Sequence, residues 1–179
     1  MIITISGLSG SGKSTIAKLL SKKLNYESFD AGKAQRELAM EKNISLIELN
    51  RLEEKDPKFD YLIDQKLINR AKNNKNIILE GRISGWMCYQ NNIKAFKIWI
   101  ECPLNIRIKR IARREKKNIL TTTKETVFRE KSENLRYKKY YNIDRSNLSI
   151  YDLVVDSSNN LPYKIIRIIL NKLKEKQWI

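Results

Sequence analysis

Gly7-Leu8-Ser9-Gly10-Ser11-Gly12-Lys13-Ser14-Thr15 has the spacing G-x-x-x-x-G-K-[ST], and its reading decides the fold. Glycines at 7, 10 and 12 let the backbone turn tightly enough for successive N–H groups to point inward as a nest for β- and γ-phosphate oxygens. Lys13 adds an ammonium for the transferring phosphate, Ser14 a hydroxyl ligand for Mg²⁺, and the positive end of the following helix favours an anion. The flanks agree. Ile2-Ile3-Thr4-Ile5 reads as a buried strand, and Ile16, Leu19, Leu20 and Leu24 recur at helical spacing. The loop therefore predicts a polyphosphate cradle between a strand and a helix, against the blander reading of a Gly/Ser-rich connection that happens to contain lysine.

The 179 residues suit one α/β domain, and the net charge of +16 calls for an anionic partner, nucleotide or nucleic acid. The basic residues are spread over nearly every segment, and no aromatic RNP strand or GXXG clamp is present, so the charge reads mostly as solvated surface. Histidine is absent, which excludes histidine-based acid–base, nucleophilic and metal-binding chemistry and suits phosphoryl transfer. Cys88 and Cys102 lack metal or redox spacing and read as small buried residues. No signal-like leader and no apolar run near the ~20 residues of a membrane span is visible, so the expected location is cytoplasmic.

Outward from the loop, 26–29 is expected as a second strand delivering Asp30-Ala31-Gly32 to the ligand edge of the sheet. Helices follow over about 33–40, from a capping box at Ser45 to Glu48, and from Asp56-Pro57 to about Lys72. This strand-free block reads as an insertion over a second substrate, with Arg36 placed to take a phosphate. Asp60 and Asp64 are expected to be solvated or salt-bridged. Residues 76–80 form a third strand ending in Glu80-Gly81-Arg82, where an acid commonly orients Mg²⁺; Trp86, Met87 and Tyr89 read as packing residues.

A fourth strand over 95–101 leads to a helix carrying Arg107, Arg110 and Arg114 on one stripe, with Arg113 beside it. A polar turn at 121–123, with a box at Thr122 and Glu125, is expected before a second helix bearing Arg129, Glu133 and Arg136. Two arginine-lined helices of this kind suit a closing lid that excludes water. A fifth strand at 150–156 and a last helix presenting Ile165, Ile168, Ile169 and Leu173 complete a three-layer α/β sandwich on a five-stranded parallel sheet. The expected division is a core of 1–30, 76–106 and 148–179, a helical insertion of about 31–75 and a lid of about 107–140.

The ordered set of motifs resembles the nucleoside monophosphate kinases, most closely the archaeal-type cytidylate kinases. It runs from the loop through Asp30-Ala31-Gly32, Arg36-Glu37-Leu38-Ala39, Leu79-Glu80-Gly81-Arg82, Arg113-Arg114-Glu115, Arg129-Glu130-x-Ser132-Glu133-x-x-Arg136-Tyr137 and Leu148-Ser149-Ile150-Tyr151-Asp152-Leu153. The resemblance implies transfer of the ATP γ-phosphoryl to CMP or dCMP with Mg²⁺. By position it implies that Gly7 to Thr15 bind ATP, that Ser14 and Glu80 serve the metal, and that Asp30, Gly32, Arg36 and Arg82 hold the acceptor. Lys13, Arg82, Arg110, Arg114 and Arg129 would act on the transferring group, and Glu133 with Arg136 would read the cytosine edge. Two departures stand out: Ile83 replaces the second acid of the bacterial Asp-Gly-Arg-Asp pattern, and Ser9 replaces a frequent proline. The partners expected are ATP, CMP and dCMP, with no membrane, no nucleic acid and a monomeric state. An adenylate or uridylate kinase and a P-loop RNA-binding or ribosome-assembly ATPase remain the alternatives.

Overall fold

The computed structural model describes residues 1–179. In chain order the elements are β1 (Ile2–Ser6), α1 (Lys13–Leu24), β2 (Glu27–Asp30), α2 (Ala31–Glu41), α3 (Leu46–Lys55), α4 (Lys58–Asn73), β3 (Ile77–Glu80), α5 (Ser84–Gln90), β4 (Phe96–Glu101), α6 (Leu104–Glu115), α7 (Ile119–Tyr141), β5 (Leu153–Asp156) and α8 (Pro162–Glu175). The five strands are parallel in the order β2-β3-β1-β4-β5. The order reverses direction at β1, so the glycine loop leaves the sheet at its switch point, where ligands of open α/β sheets bind. The register sets Ile5 beside Glu80 and Glu80 beside Asp30, so the two acids and the start of the loop share one edge.

Alternation along each strand divides the core between the two faces of the sheet. Ile78 faces a cluster with Ile16, Leu20, Ile165, Ile169 and Leu173 of α1 and α8, whereas its neighbours Ile77 and Leu79 face Leu67, Ile68, Met87 and Tyr137 of α4, α5 and α7. β1, β3 and β4 are covered on both sides, which is why they read as nearly continuous apolar runs. Both cysteines are buried and free.

Several local expectations change. Leu19 and Ile168 are both 39% exposed, because their positions on α1 and α8 lie just outside the stripe that meets the sheet. Trp86 and Met87 are buried, but Tyr89 is exposed and meets Trp86 edge-on with centroids 5.7 Å apart. The capping box of Ser45 and Glu48 forms as expected. The Thr122–Glu125 box does not: Asn118 caps α7 by accepting from the Thr121 N–H at 2.7 Å, and Thr122 already lies in the helix, its hydroxyl donating to Asn118 O. Asn outcompetes a threonine four residues on because it sits at the end of the left-handed turn at Lys116 that stops α6.

Asp60 and Asp64 are buried rather than solvated; Asp60 carries the expected salt bridge, to Arg136, and Asp64 carries none. Their face of α4 turns toward α7, whose second half is braced against α3: the Tyr140 hydroxyl donates to the carbonyls of Glu53 and Glu54. Of residues 107–140, only α6, the turn after it and the first half of α7 border the cleft described next.

Candidate functional site

One cleft of about 920 Å³ opens at the carboxyl edge of the sheet. Ser9, Gly10 and Gly12 to Thr15 form its floor, and Glu80 and Arg82 enter from the end of β3. Asp30, Gly32, Gln35 and Arg36 stand on one side and Arg110, Arg114 and Arg129 on the other. Gly7, Leu8 and Ser11 form the underside of the loop, away from the cleft lining.

The loop is shaped by close approach from beneath and openness above. Gly10, at φ +79°, lies so near α6 that an added Cβ would stand 2.7 Å from Arg107 O. Gly12, at φ +93°, caps α1 with no side chain, and a Cβ there would meet nothing nearer than Arg110 Nη1 at 3.9 Å. The leading N–H groups of α1, which have no partners within the helix, therefore face open cleft.

Lys13 is buried, and its Nζ donates to Leu8 O at 2.9 Å. Burial pulls its pKa down to about 8, opposed by the carboxylates of Glu80, Glu133 and Asp30. Burial likewise raises Glu80, with Lys13 working the other way and Asp30 adding to the rise. Ser14 is exposed at the same edge, and its hydroxyl works against the rise at Glu80. No group of three or more carboxylate, cysteine or histidine side chains that could cage a metal exists. A hydroxyl and one carboxylate beside an anion cradle nonetheless fit a hard cation such as Mg²⁺, which keeps most of its shell as water and phosphate oxygen.

The arginines divide into free and committed groups. Arg129 has a buried Nε without a partner, and burial together with the nearby Arg82 lowers its pKa, so an anion in the cleft would relieve both. Arg114 pairs with its neighbour Glu115 on the surface, and Arg36 stands 3.6 Å from Asp30, which also caps α2 through Lys33 N. Arg110 lines the cleft while two of its nitrogens hold Ser157, at 3.1 Å to Oγ and 2.6 Å to O. Arg107, expected on the same stripe, is instead buried: it pairs with Glu130 of α7 and donates to Ser9 O and Cys102 O, bracing the loop from behind.

Glu133 and Arg136, the residues expected at a cytosine edge, are each 1% exposed and engaged by protein partners on every polar atom. Glu133 Oε1 accepts from Arg82 and Oε2 from Arg145. Burial pushes its pKa up, but Arg82, Arg145, Arg129 and Arg136 outweigh that and hold it at about 2. Arg136 spends all its N–H groups on Asp60, Asn50, Ser132 and Glu53. A side chain in that state has no donor left for a base.

Sequence reasoning missed Arg145, Glu53 and Gln35. Arg145 lies in the loop after α7 and pins Glu133, Asn134 and Glu130 O. Glu53 is fully buried in α3, where it accepts from Gln35 and pairs with Arg136. Their partners are distant in sequence, and no helical spacing marks them.

With that geometry in place, the comparisons with known proteins are informative. Residues 2–159 match the model of the cytidylate kinase-like family. A cytidylate kinase of Methanococcoides burtonii is 47% identical over 158 residues, covering 88% of each chain. One of Halobacterium salinarum is 40% identical over 177 residues, covering 99% of this chain and 91% of its own. Among solved structures, an uncharacterized protein from Eubacterium ventriosum superposes with a TM-score of 0.72 at 17% identity, covering 97% of this chain and 98% of that one. Shikimate kinase from Aquifex aeolicus gives 0.60 at 20% identity over 99% of both chains, and at such identities the likeness establishes the shared P-loop kinase fold alone. The glycine cradle and its paired strands thus sit in a sequence that matches over most of its length, and the chain belongs to the cytidylate kinase-like family.

Proposed function

We propose that this chain is a cytidylate kinase that moves the γ-phosphoryl of ATP to CMP or dCMP, giving ADP and CDP or dCDP. One observation supports the reading beyond family membership. A single cleft joins an amide-and-lysine cradle at the head of α1 to a second wall on the insertion, where Asp30 and Arg36 stand, with Arg82 between them. Two phosphate-bearing molecules can meet there end to end.

The division of labour follows from the positions. The amides at the head of α1 and Lys13 take the β- and γ-phosphates of the donor, and Ser14 with Glu80 would hold Mg²⁺, which supplies charge neutralisation between phosphate oxygens. Arg36 and Arg82 take the acceptor's phosphate, whose anionic oxygen is already the nucleophile and needs no histidine base. That oxygen bonds to the γ-phosphorus as the bond to the β-phosphate oxygen breaks and leaves with ADP. Arg110, Arg114 and Arg129 face the same volume from α6 and α7 and neutralise the charge in flight. Residues 31–75 act as the acceptor-binding insertion and 107–140 as the lid, closing only through the part of α7 that borders the cleft.

The test is ADP release from ATP by the purified protein with CMP, dCMP, UMP and AMP in turn. Turnover with CMP and dCMP well above the other two is expected; equal rates with AMP and CMP would overturn the assignment.

A further inference from the structure

We propose that Asp64 of α4 reads the 4-amino group of the acceptor's cytosine, an inference that rests on the cytidylate kinase reading above. A narrow slot runs between α2, α4 and the turn after β3, and it shares Gly32, Gln35 and Arg82 with the large cleft. A base whose phosphate lies at Arg82 therefore has this side chamber within reach. Its walls combine the flat Tyr137 ring and aliphatic side chains of α4 with two carboxylates, those of Asp60 and Asp64. Apolar faces with one placed polar group are what a pyrimidine ring requires. The slot is about 40 Å³, so entry of the ring requires α2 to move off α4.

Of the acids near it, Asp64 alone has capacity to spare. Both oxygens of Asp60 accept from Arg136, at 2.7 and 3.4 Å, and both oxygens of Glu133 accept from arginines. Asp64 is 9% exposed and forms no ion pair, the Arg136 charge reaching it only at longer range. Its Oδ2 accepts from the Tyr141 hydroxyl at 2.6 Å, and its Oδ1 takes no donor from the protein. Burial accordingly lifts its carboxyl to about 7, with the Tyr141 bond opposing and Asp60 and Glu53 adding to the rise. A neutral N–H donor is the partner such a group lacks. Cytosine presents one at C4, whereas uracil presents an acceptor oxygen there and would face the carboxylate lone pairs directly.

The experiment compares kcat/KM for CMP, UMP and the CMP analogue with hydrogen in place of the 4-amino group, using wild-type protein and Asp64→Asn. Wild-type protein is expected to prefer CMP to the analogue by about 10- to 100-fold, the range of a hydrogen bond to a charged group. Asparagine keeps the shape and can still accept from Tyr141, which turns its NH₂ toward the slot. The CMP/UMP ratio should then fall at least about 10-fold, with turnover of UMP itself rising. Wild-type protein that uses the analogue as well as CMP overturns the inference without any variant. So does Asp64→Asn that lowers CMP and UMP turnover equally, as a purely structural aspartate would. Wild-type protein that phosphorylates no pyrimidine monophosphate removes the cytidylate kinase reading and this inference together, whereas the first two outcomes leave that reading standing.

Discussion

The guanidinium of Arg82, at the end of β3, is ion-paired with the carboxylate of Glu133, fifty-one residues later in α7. Arg145 closes the other side of the same carboxylate, so one acid is shared by two guanidiniums and fastens α7 to the sheet edge.

Removing that acid strands both cations. Glu133→Gln should therefore lower stability by about 3 kcal/mol, the usual scale for breaking a buried pair from one side. Thermal unfolding would register it as a fall of several degrees. Because both Glu133 oxygens are held by arginines in a residue only 1% exposed, the CMP/UMP ratio should stay at the wild-type value, and a ratio that collapses would return the base-reading role to this residue.

Lys13 stands at the cradle and touches nothing of the acceptor wall except through long-range charge. Lys13→Ala should cut kcat by about 10²-fold or more, since it removes a charge that acts on the transferring group. CMP affinity measured by calorimetry should change little; loss of CMP binding instead would mean that the two subsites are assigned the wrong way round.

The glycine positions separate folding from ligand binding. Gly10→Ala drives a methyl into Arg107 O and should destabilise the fold by about 1–3 kcal/mol. Gly12→Ala points its methyl into the open cleft and costs only about 1 kcal/mol of backbone strain, yet it occupies the space of the phosphates. Calorimetry should find ATP binding abolished in Gly12→Ala while its melting temperature stays within a few degrees of wild type. The reverse pattern would contradict the geometry of the loop.

Buried acids of opposite character set the pH profile. Burial raises Glu53 and Asp64 to about 7 from 4.5 and 3.8, so the folded state holds their protons longer than the unfolded chain and stability falls as pH rises across that window. Glu133, held at about 2 by its arginines against burial, contributes stability above its unfolded value of 4.5 that is lost as pH falls below it. The melting temperature should thus peak near about pH 5. Asp64→Asn should flatten the decline on the alkaline side, and an unchanged slope between pH 5 and 8 would show that Asp64 titrates normally.

The local grammar of the chain was legible throughout. Four of the five strands announced themselves by apolar, largely β-branched runs, with β2, Glu27-Ser28-Phe29-Asp30, the exception; the Ser45 box formed where its residues said it would, and the glycine spacing located the turn between β1 and α1. Where two signals competed within a turn, as Asn118 and Thr122 do, backbone geometry chose the one standing next to a left-handed residue. Arg107 and Arg110 show the limit of periodicity: they share a stripe, yet one is buried behind the loop and the other faces the cleft.

The sequence by itself determined that a glycine-rich loop sits between a strand and a helix, which acids follow the neighbouring strands, and which family the motifs resemble, because each depends on residues within a few positions of one another. Only the tertiary structure decided that Glu133 and Arg136 spend themselves on Arg82, Arg145, Glu53 and Asp60, and that Asp64 does not. A charged side chain's role depends on which opposite charges the fold brings within hydrogen-bond distance, and those partners come from helices whose spacing along the chain carries no trace of the encounter.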